Sequence, residues 1–313
     1  MATIGILSTR SARYHPNRRL MEAARSLGHA PLLLHPRAVL AQTAHGREKP
    51  LEAGYPEVVL PRIGSTIEDA ELAVVLHLEL SGVRVVNGFR ALAVARDKFL
   101  SARLLDSAGI PVPQTLLVAG AEQLPAAVER LGGFPVVMKA CRGRQGTAVF
   151  LVKEMAFARY ILEQPPRPSE GVVVQRYLPE AASGDVRILV VGERPVASMR
   201  RVPCRGDFRS NVHLRGRGVP WDPPPEWMEL AVGATRTLGL QVSGVDMVGG
   251  AEGPLVLEVN TTPGFRELER VTGIDVGREM ILWAVRSPGE TLERASLPSR
   301  GETPHRTCPS KGR

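Results

Sequence analysis

The sequence is poor in cysteine and in aromatic residues, and it has no long apolar run. Its 313 residues include three cysteines, Cys141, Cys204 and Cys308, odd in number and with no close pair. That excludes a disulfide framework or a zinc ribbon, both of which need close pairs, and it fits a reducing compartment such as the cytoplasm. Aromatic residues make up 4% of the chain. Base-stacking surfaces are built from aromatics, so nucleic acid is a disfavoured partner. No uninterrupted apolar stretch approaches the roughly 18 residues of a membrane span, and the opening MATIGILSTR turns polar too soon to be expected as a secretory signal. No GxxxxGK[ST] phosphate loop occurs. No Ser-His-Asp or Cys-His arrangement suggests itself, and His77 and Cys141 read as structural.

What the chain does have is 43% hydrophobic residues and a formal net charge of +8. That hydrophobic content is ordinary for a globular protein, and a chain of this length can form one large or two modest folded domains. Part of the charge belongs to residues 286–313, where Arg and Lys outnumber Glu and Pro288, Pro298, Pro304 and Pro309 interrupt any periodicity. This segment reads as a flexible basic tail. The modest positive balance of the remainder suits anionic small molecules such as nucleotides.

The first ninety residues alternate strand and helix signals. Short apolar runs at Thr3–Leu7, Pro31–Leu34, Val58–Leu60 and Val83–Val86 alternate with helical spacing at Leu20, Ala23, Ala24 and Leu27 and over Glu68–Leu80. This βαβ rhythm predicts a small parallel sheet. Ala91–Ala108 reads as one long helix ended by Gly109. Beyond it, strand signals at Gln114–Val118, Phe134–Cys141, Val149–Lys153, Val172–Tyr177, Val186–Val191 and Val196–Val202 lie mostly a short turn apart, which is antiparallel behaviour. Helices are expected at Ala121–Leu131, Met155–Leu162, Glu226–Leu238 and near Arg278–Val285. Two further strands are expected at Gly244–Val248 and Pro254–Val259.

The strongest chemical signal is Asp246 followed by the run LVLEVNTTPG, which contains Glu258 and Asn260. Residues two apart on a strand share a face, so Glu258 and Asn260 present their oxygens side by side, with Asp246 on the preceding strand. Hard Mg²⁺ or Mn²⁺ favours such an all-oxygen set, usually together with phosphate oxygens. An isolated Glu-x-Asn is ordinarily just the polar face of a strand, but here the pattern sits in a run that reads as buried. Lys139 ends the apolar strand FPVVMK and precedes a loop containing Arg142, Gly143, Arg144, Gln145, Gly146 and Thr147. That loop reads either as a plain hairpin connection or as a backbone cradle for phosphate. Lys98 lies in ARDKFL. Asp185 and Arg187 share a strand face, either as an exposed cross-sheet pair or as part of a site. GDFRSNVHLRGRG at 206–218 reads as a solvated basic loop or as a lid over an anionic intermediate.

Taken in order, these segments resemble the ATP-grasp superfamily, and within it the RimK family of glutamate ligases. The resemblance rests on ARDK (95–98), VVMK (136–139), GDVR (184–187), GDFRSN (206–211), GVDM (244–247), LEVNTTPG (257–264) and GIDVGREMI (273–281). It implies an α/β (α+β) chain with an ATP-grasp fold and a small N-terminal α/β domain at 1–95. An ATP-grasp domain would follow at 96–286, and the tail would be 287–313.

Several residue roles follow from the resemblance. Lys98 and Lys139 would hold the phosphates of ATP, and Gln175, Arg176 and Tyr177 would meet adenine. Asp185 and Arg187 would contact the nucleotide. Arg209, Ser210 and Asn211 would reach the phosphates, with Arg209 and Asn211 in catalysis. Asp246, Glu258 and Asn260 would hold two Mg²⁺ or Mn²⁺ ions. The implied reaction adds glutamate to the C-terminal carboxyl of a protein, such as a ribosomal protein, or of a peptide. The implied enzyme is self-associating and cytoplasmic, with no membrane partner. A lysine-biosynthesis carrier-protein ligase and a non-catalytic nucleotide-binding protein of the same fold are the alternatives. Two positions depart from the family pattern: Arg176 stands where Glu is usual, and Ala148 where Gly is usual.

Overall fold

A computed structural model of the chain describes residues 1–43, 54–64, 67–143, 149–163, 171–203 and 217–286. Arg209, Ser210, Asn211, Ala148, most of the glycine loop and the tail after 286 lie outside these residues.

The chain begins with β1 (Thr3–Leu7), α1 (His15–Ser26), β2 (Ala30–Leu34), β3 (Val58–Pro61), α2 (Asp69–Leu80) and β4 (Arg84–Val85). The strands form a parallel sheet in the order β2-β1-β3-β4, as the βαβ rhythm requires. α2 starts with a capping box in which Glu68 and Glu71 satisfy each other's backbone N–H groups.

The single helix expected over Ala91–Ala108 is in fact two, α3 (Phe89–Ala95) and α4 (Lys98–Ser107). Asp97 makes the break. Its carboxylate accepts from the N–H groups of Phe99 and Leu100, a cap worth about 1 kcal/mol. The break places Lys98 in the first turn of a new helix.

A second sheet follows, built from β5 (Thr115–Val118), β6 (Val136–Ala140), β7 (Val149–Val152) and β8 (Val172–Arg176), with α5 (Leu124–Arg130) and α6 (Met155–Glu163) between strands. It is antiparallel, in the order β5-β8-β6-β7. It has its own core of Val118, Leu124, Val136, Met138, Val152 and Val174.

The third sheet contains β9 (Asp185–Val191), β10 (Arg194–Val202), β11 (Arg217–Pro220), β12 (Val242–Gly250) and β13 (Gly253–Asn260), with α7 (Pro225–Thr237) after β11. Its order is β11-β10-β9-β12-β13, antiparallel throughout. α8 (Arg266–Thr272), a short helix with no strong sequence signal, and α9 (Val276–Ala284) complete the described chain.

Alternation along β9 explains how this sheet is covered. Ile188 and Val190 pack with Ala231, Ala234 and Leu238 of α7. Leu189 and Val191 face the other way, into a core shared with Ile4, Ile6 and Leu60 of the parallel sheet and with Phe265, Met280 and Ile281. Asp185 and Arg187 lie on this second face, at the opposite end of β9. No helix among the described residues is long and apolar enough to cross a membrane.

Candidate active site

The antiparallel register brings the predicted oxygen donors together. Asp246 on β12 lies opposite Glu258 on β13, and Gly244 lies opposite Asn260. All four therefore share one face. Asn260 Nδ2 donates to Asp246 Oδ2 at 3.1 Å and to the Gly244 carbonyl at 3.3 Å. Gly244 is required by close approach, since a Cβ there would lie 2.8 Å from Cβ of Pro263. Asp246 is 4% exposed, whereas the Glu258 side chain is 39% exposed.

On its other side Asp246 faces β9. Arg187, directly opposite, donates Nε to Oδ1 and Nη2 to Oδ2, both at 2.7 Å. Arg201 on β10, 2% exposed, spans two carboxylates. It donates through Nε and Nη2 to Asp185 at 2.5 Å, and its Nη2 lies 3.0 Å from Asp246 Oδ2. Asp185 and Arg187 are therefore not an exposed pair with each other. Each is bound to a partner on a neighbouring strand inside one buried network. Burial alone would raise the pKa of Asp246, but Arg187 and Arg201 outweigh it and hold the carboxyl below its usual range. Burial opposes the charge on Arg201 as well, yet Asp246 and Asp185 raise its pKa.

The two lysines approach from the second sheet and from α4. Lys139 on β6 donates Nζ to Gln175 Oε1 at 2.6 Å, and Gln175 Nε2 donates to Thr115 Oγ1 at 2.9 Å. Burial pushes the Lys139 pKa down to about 8, while Glu258 draws it back up and Lys98 adds to the depression. Lys98 Nζ lies 3.9 Å from Glu258 Oε1 and donates to the Gly143 carbonyl at 3.3 Å. A cleft of about 530 Å³, its open mouth included, is lined by Lys98, Gln175, Glu258 and Asn260 among others, with Lys139 and Asp246 hydrogen-bonded to its Gln175 and Asn260. Arg176 is exposed at the end of β8, and Tyr177 beyond it is partly buried. The thiol of buried Cys141 donates to the Gly171 carbonyl, and His77 meets the Tyr55 hydroxyl. Both residues sit in structural positions.

Two carboxylates and one amide oxygen suit a hard divalent ion, with phosphate and water oxygens completing its shell. Among the described residues no group of three or more His, Cys, Asp and Glu could hold a metal, so Asn260 and a substrate's own oxygens must contribute. Both Asp246 oxygens already accept from arginine, so an ion would share this carboxylate. Arg201 carries no signal in the sequence that marks it for this network.

Residues 95–284 match the RimK-like ATP-grasp domain model and residues 2–92 match the RimK PreATP-grasp domain model. The chain belongs to the RimK-like ATP-grasp family. A "Probable alpha-L-glutamate ligase" of Pseudomonas paraeruginosa is 36% identical over 297 residues, covering 93% of this chain and 98% of that protein. A RimK domain ATP-grasp protein from Sphaerobacter thermophilus superposes with a TM-score of 0.72 at 26% identity, over 91% of this chain and 100% of its own. The ATP-grasp ligase PsnB, in a complex with a precursor variant, Mg and ADP, superposes at 0.68 with 20% identity, over 91% of this chain and 98% of its own, and shows the shared fold. This RimK-family chain is accordingly an ATP-grasp ligase, of a class that uses ATP with magnesium to form amide bonds.

Proposed function

We propose that the chain adds L-glutamate to the C-terminal carboxyl of a protein or peptide acceptor, of which a ribosomal protein tail is one case, with ATP as co-substrate. The observation that carries this reading is the cleft lined by Lys98, Gln175, Glu258 and Asn260, to which Lys139 and Asp246 are joined through Gln175 and Asn260. The glutamate ligase name of the 36%-identical relative supports the choice of amino acid.

A carboxylate is a poor acyl donor because its leaving group would be oxide. An acceptor carboxylate oxygen attacks the γ-phosphorus of ATP, the bond to the bridging oxygen breaks, and ADP leaves with the electron pair. The glutamate amine then attacks the acyl carbon of the acyl phosphate. It loses a proton, and phosphate departs as the amide forms. In this reading Lys98 and Lys139 neutralise phosphate charge that would otherwise repel the acceptor. Gln175 fixes the Lys139 ammonium. Gln175, Arg176 and Tyr177 border the adenine position, and Asp185 and Arg187 approach the nucleotide. Asp246, Glu258 and Asn260 would hold Mg²⁺ or Mn²⁺, which when bound supplies charge screening of the phosphates. Arg209, Ser210 and Asn211 complete the phosphate contacts, with Arg209 stabilising the transferring phosphoryl group.

The chain would divide into residues 1–95, an ATP-grasp portion at 96–286 and a tail, and would work as a cytoplasmic homo-oligomer. The test is intact-mass analysis of candidate acceptors incubated with ATP, Mg²⁺ and glutamate. A glutamyl increment on an acceptor is expected, and ATP-dependent products carrying no glutamate would refute the reading.

One observation favours a second reading, in which nucleotide is bound without turnover. Arg187 and Arg201 occupy both oxygens of Asp246. Phosphate release in the presence of Mg²⁺, glutamate and acceptor excludes that alternative.

A further inference from the structure

Outside the nucleotide cleft, Arg62 is a buried cation with no counter-charge among the described residues. It follows β3 directly, at the carboxyl edge of the parallel sheet, where its N–H donates to the Leu7 carbonyl. Its side chain is all but enclosed, with the residue 7% exposed. Nη2 donates to the Pro263 carbonyl at 2.6 Å, and the guanidinium lies 5.7 Å from the centroid of the Phe265 ring. Nε is buried with no hydrogen-bond partner among the described residues. No carboxylate faces the group among the described residues, and burial draws its pKa down to about 10.

A buried guanidinium normally has an anion beside it, because an unpaired buried charge is strongly unfavourable. Arg201, equally buried, has two. The surroundings of Arg62 suit an anion from elsewhere. The 12-residue helix α1 begins at His15 with no side-chain cap and no acidic residue in its first turn, so its N–H groups favour negative charge. His15 packs on the same Phe265 ring at 5.6 Å between centroids; its Nε2 lies 3.4 Å from Glu269 Oε2, while its Nδ1 is buried without a hydrogen-bond partner among the described residues. The carboxyl ends of parallel strands are where open α/β sheets bind ligands. The site also adjoins the chemistry. Pro263, whose carbonyl Arg62 grips, packs against Gly244, and Arg187 Cδ lies 3.7 Å from where a Gly244 Cβ would be.

We propose that Arg62, with the first turn of α1, binds a substrate carboxylate that remains intact through the reaction. The inference rests on the ligase reading above. The planar guanidinium fork matches a carboxylate, while the groups assigned to phosphate belong to the separate cleft, Lys98 in its lining and Lys139 bound to its Gln175. The carboxylate belongs either to the incoming glutamate or to an acidic side chain of the acceptor, because the acceptor's terminal carboxyl is itself converted to the amide.

Calorimetric titration of the full chain, with Mg²⁺ and a non-hydrolysable ATP analogue present, distinguishes the two sources. The probes are L-glutamate and the dipeptide L-Glu-L-Glu. Arg62→Ala is expected to weaken one probe about 10- to 100-fold while Mg-ADP affinity, measured separately, stays at the wild-type value. Weaker glutamate binding assigns the amino-acid substrate; a loss confined to the dipeptide assigns the acceptor. Should Arg62→Ala fail to fold, Arg62→Lys keeps the charge and removes the fork, and the same selective loss is expected. The inference is overturned if both probes bind variant and wild type alike, if the wild type binds neither, or if ADP affinity falls in step. Intact-mass analysis tests the ligase reading independently: selective binding without a glutamyl product would remove that reading and leave the Arg62 site standing.

Discussion

Arg187 and Asp246 face each other directly across the β9–β12 ladder, joined by two hydrogen bonds of 2.7 Å. Asp246→Asn would leave Arg187 and Arg201 short of a counter-charge in a buried setting. Breaking a buried pair from one side costs about 3–5 kcal/mol, and a loss of that order is expected in denaturant unfolding. Because the native pKa of Asp246 is depressed, its contribution is present above the unfolded carboxyl value and is lost as pH falls through the native one. Wild-type stability should therefore decline on acidification, and the decline should shrink in the variant. An unchanged acid limb would contradict the pairing.

Lys139 gives a pH dependence at the opposite end of the scale. Its native pKa of about 8 lies below the ordinary 10.5, so the unfolded chain binds more protons between those values. The penalty for burying the charged lysine is present below that window and is relieved as pH rises through it. Nucleotide binding needs the charged form. Affinity for ATP is expected to fall as pH passes about 8, with proton uptake on binding visible in buffers of different ionisation enthalpy. Lys139→Met should remove both effects, and a pH-independent wild type would contradict the assignment.

Glu258 is partly exposed and opposes Lys98 at 3.9 Å rather than a buried network. Glu258→Gln should abolish Mg²⁺-dependent phosphate release while the thermal midpoint stays close to wild type, and Asn260→Ala should do the same to activity. Purified Glu258→Gln that turned over ATP at the normal rate would remove the metal-site reading.

Arg209→Ala should lower turnover by roughly 10²–10³ and change ATP affinity far less. An effect confined to nucleotide binding would refute a role in the transferring phosphoryl group.

Gly184 has φ of +110°, and a Cβ there would come within 2.2 Å of the Arg201 carbonyl oxygen. Gly184→Ala should cost about 2–4 kcal/mol through backbone strain and overlap. It should also reduce activity, because it displaces the Asp185–Arg201 pair. Unchanged denaturant midpoints would show that the turn relaxes freely.

The period-two pattern of LEVN was enough to place Glu258 and Asn260 on one face, because a strand allows no other arrangement. The alternation of β9 was equally readable. Arg201 was not. Counting outward from the turn at Gly192 pairs Asp185 with Arg200, which is exposed. The actual ladder shifts by one residue between Pro195 and Ala197, so Asp185 pairs with Arg201. Such an irregularity reverses which side chains face the site, and it has no local signature beyond the proline. The helix break at Asp97 is hidden for a related reason. Apolar residues continue on both sides of it, and only the cap reveals the interruption.

The core that joins Ile4, Ile6 and Leu60 to Leu189, Phe265 and Ile281 also has a thermodynamic consequence. The parallel sheet and the five-stranded sheet hide one another's apolar faces, so heating should melt them as a single cooperative unit. The sheet that presents Lys139 has a separate interior and is free to lose or change its arrangement on its own schedule.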